Sequence, residues 1–352
     1  MRMADKIRKK YLDFKNPPAV RVLVVFDAVL VGIILIAYAL IQHVLPSHFF
    51  DNLKVANNAQ IENIEDEPVP TASVAIPSPT PDSEADDGEL TLAKKFRDKF
   101  SEGINLTSNQ YKSSNVSVEI TEYSEGNIYQ PQHWYVADIY VSDIHCLQTY
   151  VTANNNLSDV SVGGQIRLLS KATGSVVAIN GDYALTTDSG VIIRNGEVIR
   201  EKPALSQICV LFEDGTMECF TADEYSAEDV QKRGAWQAWT FGPSLLDNKG
   251  KAKTDFPSAY GSVLDYNPRT VLGYYEPGHY CFVVIDGRQS GYAIGYDMEE
   301  TAKLMENLGC AVAFNLDGGQ SAQMTFGTEY VNRPAKDGRL VGDIVYVKDI
   351  FS

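Results

Sequence analysis

Cysteine is scarce in this chain of 352 residues, with Cys146, Cys209, Cys219, Cys281 and Cys310 as an odd set of five. No two stand at the close spacing of a zinc site or a redox motif, and so few thiols exclude a disulfide-stapled miniprotein. His133, His145 and His279 are isolated from one another and read as hydrogen-bonded structural residues rather than metal ligands. Positive charge is also in deficit: 30 basic residues face 46 acids, a net charge of −16. A nucleic-acid partner, whose phosphates need a basic face, is therefore not expected. Apolar residues are not lacking. At 44% they suffice for a sizeable core, which excludes a wholly disordered chain.

The charge is unevenly divided. Residues 1–21 carry seven basic side chains against Asp5 and Asp13, and everything beyond is acidic. Between the two parts runs Val22–Leu45, apolar apart from Asp27 near one end and long enough to cross a bilayer core as a helix. The basic tail before it places the N-terminus in the cytoplasm and the chain after Leu45 outside. The expected location is thus the cell membrane, as a single-pass protein with an extracellular C-terminal domain. A cleaved signal peptide is the alternative: Ala37-Tyr38-Ala39 has the small-residue spacing, but the apolar run continues through Leu40 and Ile41. Residues 46–88 collect prolines, acids, Ser and Thr with little to pack, which describes an extended spacer.

From residue 89 to 352 the composition is that of one folded domain. Glu89–Gly103 places Leu90, Ala93, Phe96 and Phe100 at helical spacing. Short β-branched and aromatic runs then follow at Val116–Tyr123, Trp134–Val141, Gln165–Leu169, Val176–Asn180, Gly190–Arg194, Ile208–Phe212 and Met217–Phe220. Asn195-Gly196 and Asp214-Gly215 are hairpin turn signals, and the second would set Cys209 against Cys219, where a disulfide is one reading. Further on, the pattern predicts a helix over Met298–Leu308 between strands Tyr280–Asp286 and Ala311–Leu316. Many strands and few helices without a second linker make the fold class α+β.

Chemistry concentrates where apolar runs end in polar residues. Ala311–Leu316 leads into Asp317-Gly318-Gly319-Gln320-Ser321, in which glycines let backbone amides approach an anion or sugar beside a fixed carboxylate. Val283–Ile285 ends in Asp286-Gly287-Arg288, and Val176–Ile179 ends in Asn180-Gly181-Asp182-Tyr183. Pro268-Arg269-Thr270 opens another β-rich run with a planar fork of donors suited to a phosphate. Each alone reads more often as a turn residue or a surface ion pair than as a catalyst. Together, two arginines and several carboxylates suit an anionic substrate that needs acid–base chemistry.

In this order the four motifs resemble the phosphodiester glycosidases, over roughly residues 115–348. Tyr135–Val141 is similar to the family's opening strand, and Met298–Leu308 to its helix between the last two motifs. The resemblance implies hydrolysis of the bond between an anomeric carbon and a phosphate oxygen, with a sugar-1-phosphodiester glycan of the envelope or an exopolysaccharide as substrate. Asp317 is then the first candidate for nucleophile or base, Asp286 the second, with Asp182 a third catalytic candidate. Arg269 and Arg288 are assigned to the phosphate, and Asn180, Gly318, Gly319 and Ser321 to substrate contacts. No cofactor is required, although the abundance of oxygen ligands leaves room for a divalent cation such as calcium. Gln320 stands where the family often has a third glycine, which narrows that loop. The rival from another class is a non-catalytic glycan-binding or envelope-assembly module built on the same pocket.

Overall fold

Period-two alternation of apolar residues dominates the domain, and in the computed structural model it becomes three antiparallel sheets. The structure describes residues 91–152, 163–183, 189–202, 204 and 207–350. The basic tail, the Val22–Leu45 span and the whole spacer lie outside the described residues. Among the described residues, no helix is long and apolar enough to cross a membrane.

The largest sheet has seven strands, in the order β1 (Asn105–Leu106), β2 (Gln110–Lys112), β3 (Val116–Gly126), β4 (Pro131–Val141), β13 (His279–Ile285), β12 (Arg269–Glu276) and β14 (Val312–Asn315). A second sheet runs β16 (Glu329–Tyr330), β15 (Met324–Phe326), β6 (Val177–Asn180), β17 (Asp343–Val347) and β5 (Leu147–Val151). The third runs β10 (Met217–Phe220), β9 (Ile208–Phe212), β11 (Ala235–Thr240), β7 (Val191–Arg194) and β8 (Glu197–Glu201). Helices are few and short: α1 (Leu92–Lys95), α2 (Ile166–Thr173), α3 (Ala227–Lys232) and α4 (Met298–Asn307).

Alternation decides which side chains share a core. Leu272, Phe282, Val284 and Phe314 point to one face of the large sheet and pack with Ile179, Met324 and Val345 of the second. Their neighbours Val271, Cys281, Val283 and Ile285 point to the other face, which α4 covers with Met298, Ala302 and Met305. Helix α4 starts at a capping box, where Asp297 accepts from the Glu300 amide and the Glu300 side chain accepts from Asp297 N–H. Asn195 (φ +53°) and Gly196 (φ +80°) close the β7–β8 hairpin with two left-handed residues, as an Asn-Gly turn requires. Cys209 and Cys219 are directly opposed in the β9–β10 register, and both are free thiols.

Two expectations are corrected. Gln165–Leu169 opens helix α2 rather than a strand: Ile166, Leu169, Ser170 and Thr173 are its buried residues, at helical spacing, and Gly174 (φ +65°) stops it. The helix expected over Glu89–Gly103 is, within the described residues, the single turn Leu92–Lys95. Phe96 then packs edge-on against Tyr140 and His279, and the Ser101 amide bonds to Ser113 O, which draws the chain into the sheet.

Candidate active site

The large sheet brings three of the four motifs to one end. Arg269 opens β12 opposite Ile285, the last residue of β13, so Asp286-Gly287-Arg288 leaves beside it. On the other side of β12 the Leu316 amide donates to Thr270 O, which sets Asp317 just past the same edge. The fourth motif arrives from the second sheet, where the Asp317 amide donates to Gly181 O. Pro268-Arg269, Arg288 and Asp317-Gly318-Gly319 border a cleft of about 330 Å³, with Tyr183, Asn267 and Arg339 at its rim.

Asp317 is the carboxylate of this lining. Burial pushes its carboxyl above the usual range, and the Ser321 hydroxyl and the Arg339 guanidinium pull it part of the way back. Arg339 donates through Nη2 to Asp317 Oδ2 at 2.5 Å and through Nε to Ser321 Oγ, with its guanidinium 5.1 Å from the Tyr183 ring centroid. Arg288 holds a left-handed conformation (φ +58°), which few residues other than glycine adopt, and it donates through Nε (2.9 Å) and Nη2 (2.5 Å) to Asn267 Oδ1.

The glycines of the Asp317 loop serve close approach. A Cβ on Gly318 would lie 2.5 Å from Pro268 O, and one on Gly319 would lie 3.0 Å from Arg288 Nη1. Gly319 is also left-handed (φ +65°), and its amide donates to Pro268 O. The loop therefore seats itself on Pro268 and beneath Arg288. Ser321 is buried and reaches the site through its bond from Arg339.

Other expected site residues are engaged in internal bonds, Asn180 and Asp286 outside the cleft lining and Arg269 at its edge. Asn180, expected to touch substrate, is 1% exposed and staples the motifs together: its Nδ2 donates to Asp317 O (2.6 Å), and its Oδ1 accepts from Thr270 Oγ1 (2.7 Å). Arg269, expected to grip the phosphate, is buried, and its guanidinium donates to Tyr296 O (3.0 Å), Val263 O (2.5 Å) and Asp265 O. It clamps the 263–265 loop, and burial lowers its pKa to about 10. Asp286 accepts from Asn332 Nδ2 (2.8 Å), the Arg333 amide (3.0 Å) and Tyr292 Oη (3.0 Å), and burial pushes its carboxyl up against these bonds. It is outside the cleft lining and anchors the 332–333 segment instead.

Asp182 is corrected in the same way. It sits in a buried triad in which Arg194 Nη2 donates both to it (2.9 Å) and to Asp343 (3.0 Å), while its second oxygen accepts from the Thr240 amide (2.8 Å). Burial and the neighbouring Asp182 charge push the Asp343 carboxyl well up. With Asp182 and Asp286 in separate networks, no group of three or more His, Cys, Asp or Glu that could hold a metal ion occurs among the described residues.

Arg339 and Arg194 are the residues that sequence reasoning missed. The signal for Arg339 is plain in retrospect: Asp337-Gly338-Arg339 repeats the triplet Asp286-Gly287-Arg288. Arg194 carries no such mark, since it ends an apolar strand beside a hairpin turn.

A sequence model of the phosphodiester glycosidase family matches residues 173–348, half of the chain. The SPbeta prophage-derived uncharacterized protein YomE of Bacillus subtilis (strain 168) is 26% identical over 255 residues, covering 70% of this chain and 36% of that protein. The matched region thus spans about a third of that relative's length. Among solved structures, the catalytic domain of zebrafish N-acetylglucosamine-1-phosphodiester alpha-N-acetylglucosaminidase, auto-inhibited by its pro-peptide, superposes with a TM-score of 0.54 at 17% identity. That superposition covers 70% of this chain and 88% of the zebrafish one, and it shows a shared fold. The family match runs across all four motifs, and the chain belongs to the phosphodiester glycosidase family.

Proposed function

We propose that the chain is a hydrolase that cleaves the glycosidic bond of a sugar-1-phosphodiester. The observation that carries this reading is a half-buried carboxylate, Asp317, set in one cleft with two guanidinium groups, Arg288 and Arg339. The bond from the anomeric carbon to the phosphate oxygen breaks, water supplies the new C–O bond, and the phosphate leaves as a monoester. A phosphate ester is a weak base, so its departure needs charge stabilisation more than a proton. Two arginines and one carboxylate match that need. Arg288 and Arg339 meet the phosphate, and Asp317 faces the cation-like anomeric centre, either attacking it or drawing a proton from water. Arg339 is bonded to Asp317 in the resting site, so an incoming phosphate competes for the guanidinium and frees the carboxylate as it binds.

The close Arg339–Asp317 pair also supports the second reading, a glycan-binding module whose carboxylate stays engaged. The two part on products. The full chain incubated with a GlcNAc-1-phosphodiester and followed by proton and phosphorus NMR is expected to release free sugar and a phosphomonoester. Release of sugar-1-phosphate means that the P–O bond is cut instead, and no release across several sugars and divalent ions leaves the binding module standing.

Activity is proposed to take place outside the cytoplasmic membrane, on envelope or exopolysaccharide glycans, with Val22–Leu45 as the anchor. The basic tail ahead of an apolar run supports this reading. The full chain is expected to stay with the membrane pellet after alkaline carbonate washing, and its release into the supernatant would overturn the anchor.

A further inference from the structure

Two of the five thiols touch deep in the core. Cys281 on β13 and Cys310, which follows α4, bring their sulfurs to 3.7 Å between the helix and the large sheet, although they stand 29 residues apart in the chain. Backbone bonds fix both. Cys281 is opposite Gly273 in the β12–β13 register, the Cys310 amide donates to Met305 O, and the next amide, of Ala311, donates to Tyr274 O.

The space around the pair is made by a residue with no side chain. A Cβ on Gly273 would lie 2.5 Å from Cys281 Sγ and 3.0 Å from Cys310 Sγ, so the two sulfurs fill the room that the glycine leaves. The Tyr275 hydroxyl hydrogen-bonds to both thiols. Neither cysteine lines the Asp317 cleft, so the pair has no part in the reaction proposed above. A disulfide has its sulfurs about 2 Å apart, and a small turn of the two side chains closes the difference.

We propose that Cys281 and Cys310 form a disulfide that ties the end of α4 to β13. The loop it closes carries Asp286, Arg288 and the whole of α4. A link across that length of chain restricts the unfolded state far more than the folded one, and so favours folding. The oxidant is a second disulfide, that of glutathione or of a thiol–disulfide exchange protein. One cysteine attacks it as a thiolate and expels a thiolate; the other cysteine then displaces the remaining half. Two electrons and two protons pass to the oxidant, which leaves as two thiols. Both cysteines are buried, and the bond shared with Cys310 together with burial pushes the Cys281 thiol up. Exchange in the folded domain therefore waits for α4 to open.

The full chain, reduced and then held in oxidised glutathione with urea below its unfolding midpoint, tests the pair. Remaining thiols are alkylated in denaturant, and a non-reduced digest is mapped by mass spectrometry. A cross-linked peptide holding Cys281 and Cys310 is expected, and it forms faster as urea rises. After removal of urea, Tm is expected to stand about 10 °C above that of the reduced chain. The gain is lost in Cys310→Ala and kept in Cys219→Ala, which breaks up the other opposed pair, Cys209 and Cys219. If Cys281 and Cys310 stay open to alkylation or carry glutathione, or if Cys209–Cys219 links in their place, the pair is overturned. A Cys281–Cys310 link with no rise in Tm overturns its role in holding α4.

Discussion

Replacing Asp317 by asparagine is expected to lower kcat on a sugar-1-phosphodiester about a thousandfold, the range found when a positioned acid–base group is removed. Asparagine keeps the shape and can still bond to Arg339 and Ser321, so KM is expected to change little. The loss would then belong to the charge rather than to the fold. The acid limb of the wild-type profile carries the same signature. Burial holds the Asp317 carboxyl above the usual carboxylate range, and the ionised form is the active one. Activity is therefore full at pH above the raised value and falls as pH drops through it, earlier than for a free aspartate near 3.9. Arg339→Gln removes a group that pulls this value down, so the limb moves to higher pH and KM rises as the phosphate loses a partner. Retention of activity within tenfold in Asp317→Asn would show that the catalytic group lies elsewhere.

The second large effect is on stability. Arg194→Met leaves Asp182 and Asp343 facing each other, both within 2% exposure, with their shared cation gone. Removing one partner of a buried ion network destabilises by about 3 to 5 kcal/mol, since an uncompensated charge remains in a medium that solvates it poorly. For a domain of this size that is a fall in Tm of roughly 10 °C. Adding Asp343→Asn to Arg194→Met takes away one of the two opposed charges and is expected to recover part of the loss. Activity per folded molecule stays near wild type, because none of the three residues borders the cleft. Thermal unfolding of the single and double variants checks both statements. A shift below about 2 °C in Arg194→Met would mean that water or rearrangement satisfies the carboxylates.

These two variants divide acids that look alike in sequence. Asp182, Asp286 and Asp317 each follow an apolar strand at a glycine-containing turn, and all three were candidates for catalysis. Only Asp317 faces the cleft. Asp182 found Arg194, which arrives from the third sheet, and Asp286 found Tyr292, Asn332 and the Arg333 amide. None of these partners is a near neighbour in the chain except Tyr292, so no local pattern distinguishes the three. The arginines changed places for a similar reason. Arg269 lies where loop carbonyls of Val263, Asp265 and Tyr296 need donors, and a guanidinium supplies several in one plane. Arg339 lines the cleft together with Arg288.

Local chemistry was legible from the residues alone. The Asn195-Gly196 turn, the Cys209–Cys219 register, the helix after Asp297 and the alternation that splits the large sheet's two faces follow from side-chain period and backbone preference, which neighbouring residues set. The meeting of the four strand ends is a tertiary result, since β6 belongs to a different sheet from β12, β13 and β14. What only the tertiary structure decided is the direction in which each polar side chain points. A buried charge takes whatever partner lowers its desolvation cost, and that partner comes from a strand far away in the chain. For this protein that choice left Asp317 paired with Arg339 in the cleft that Arg288 also lines, and turned Asp182 and Asp286 into networks of their own.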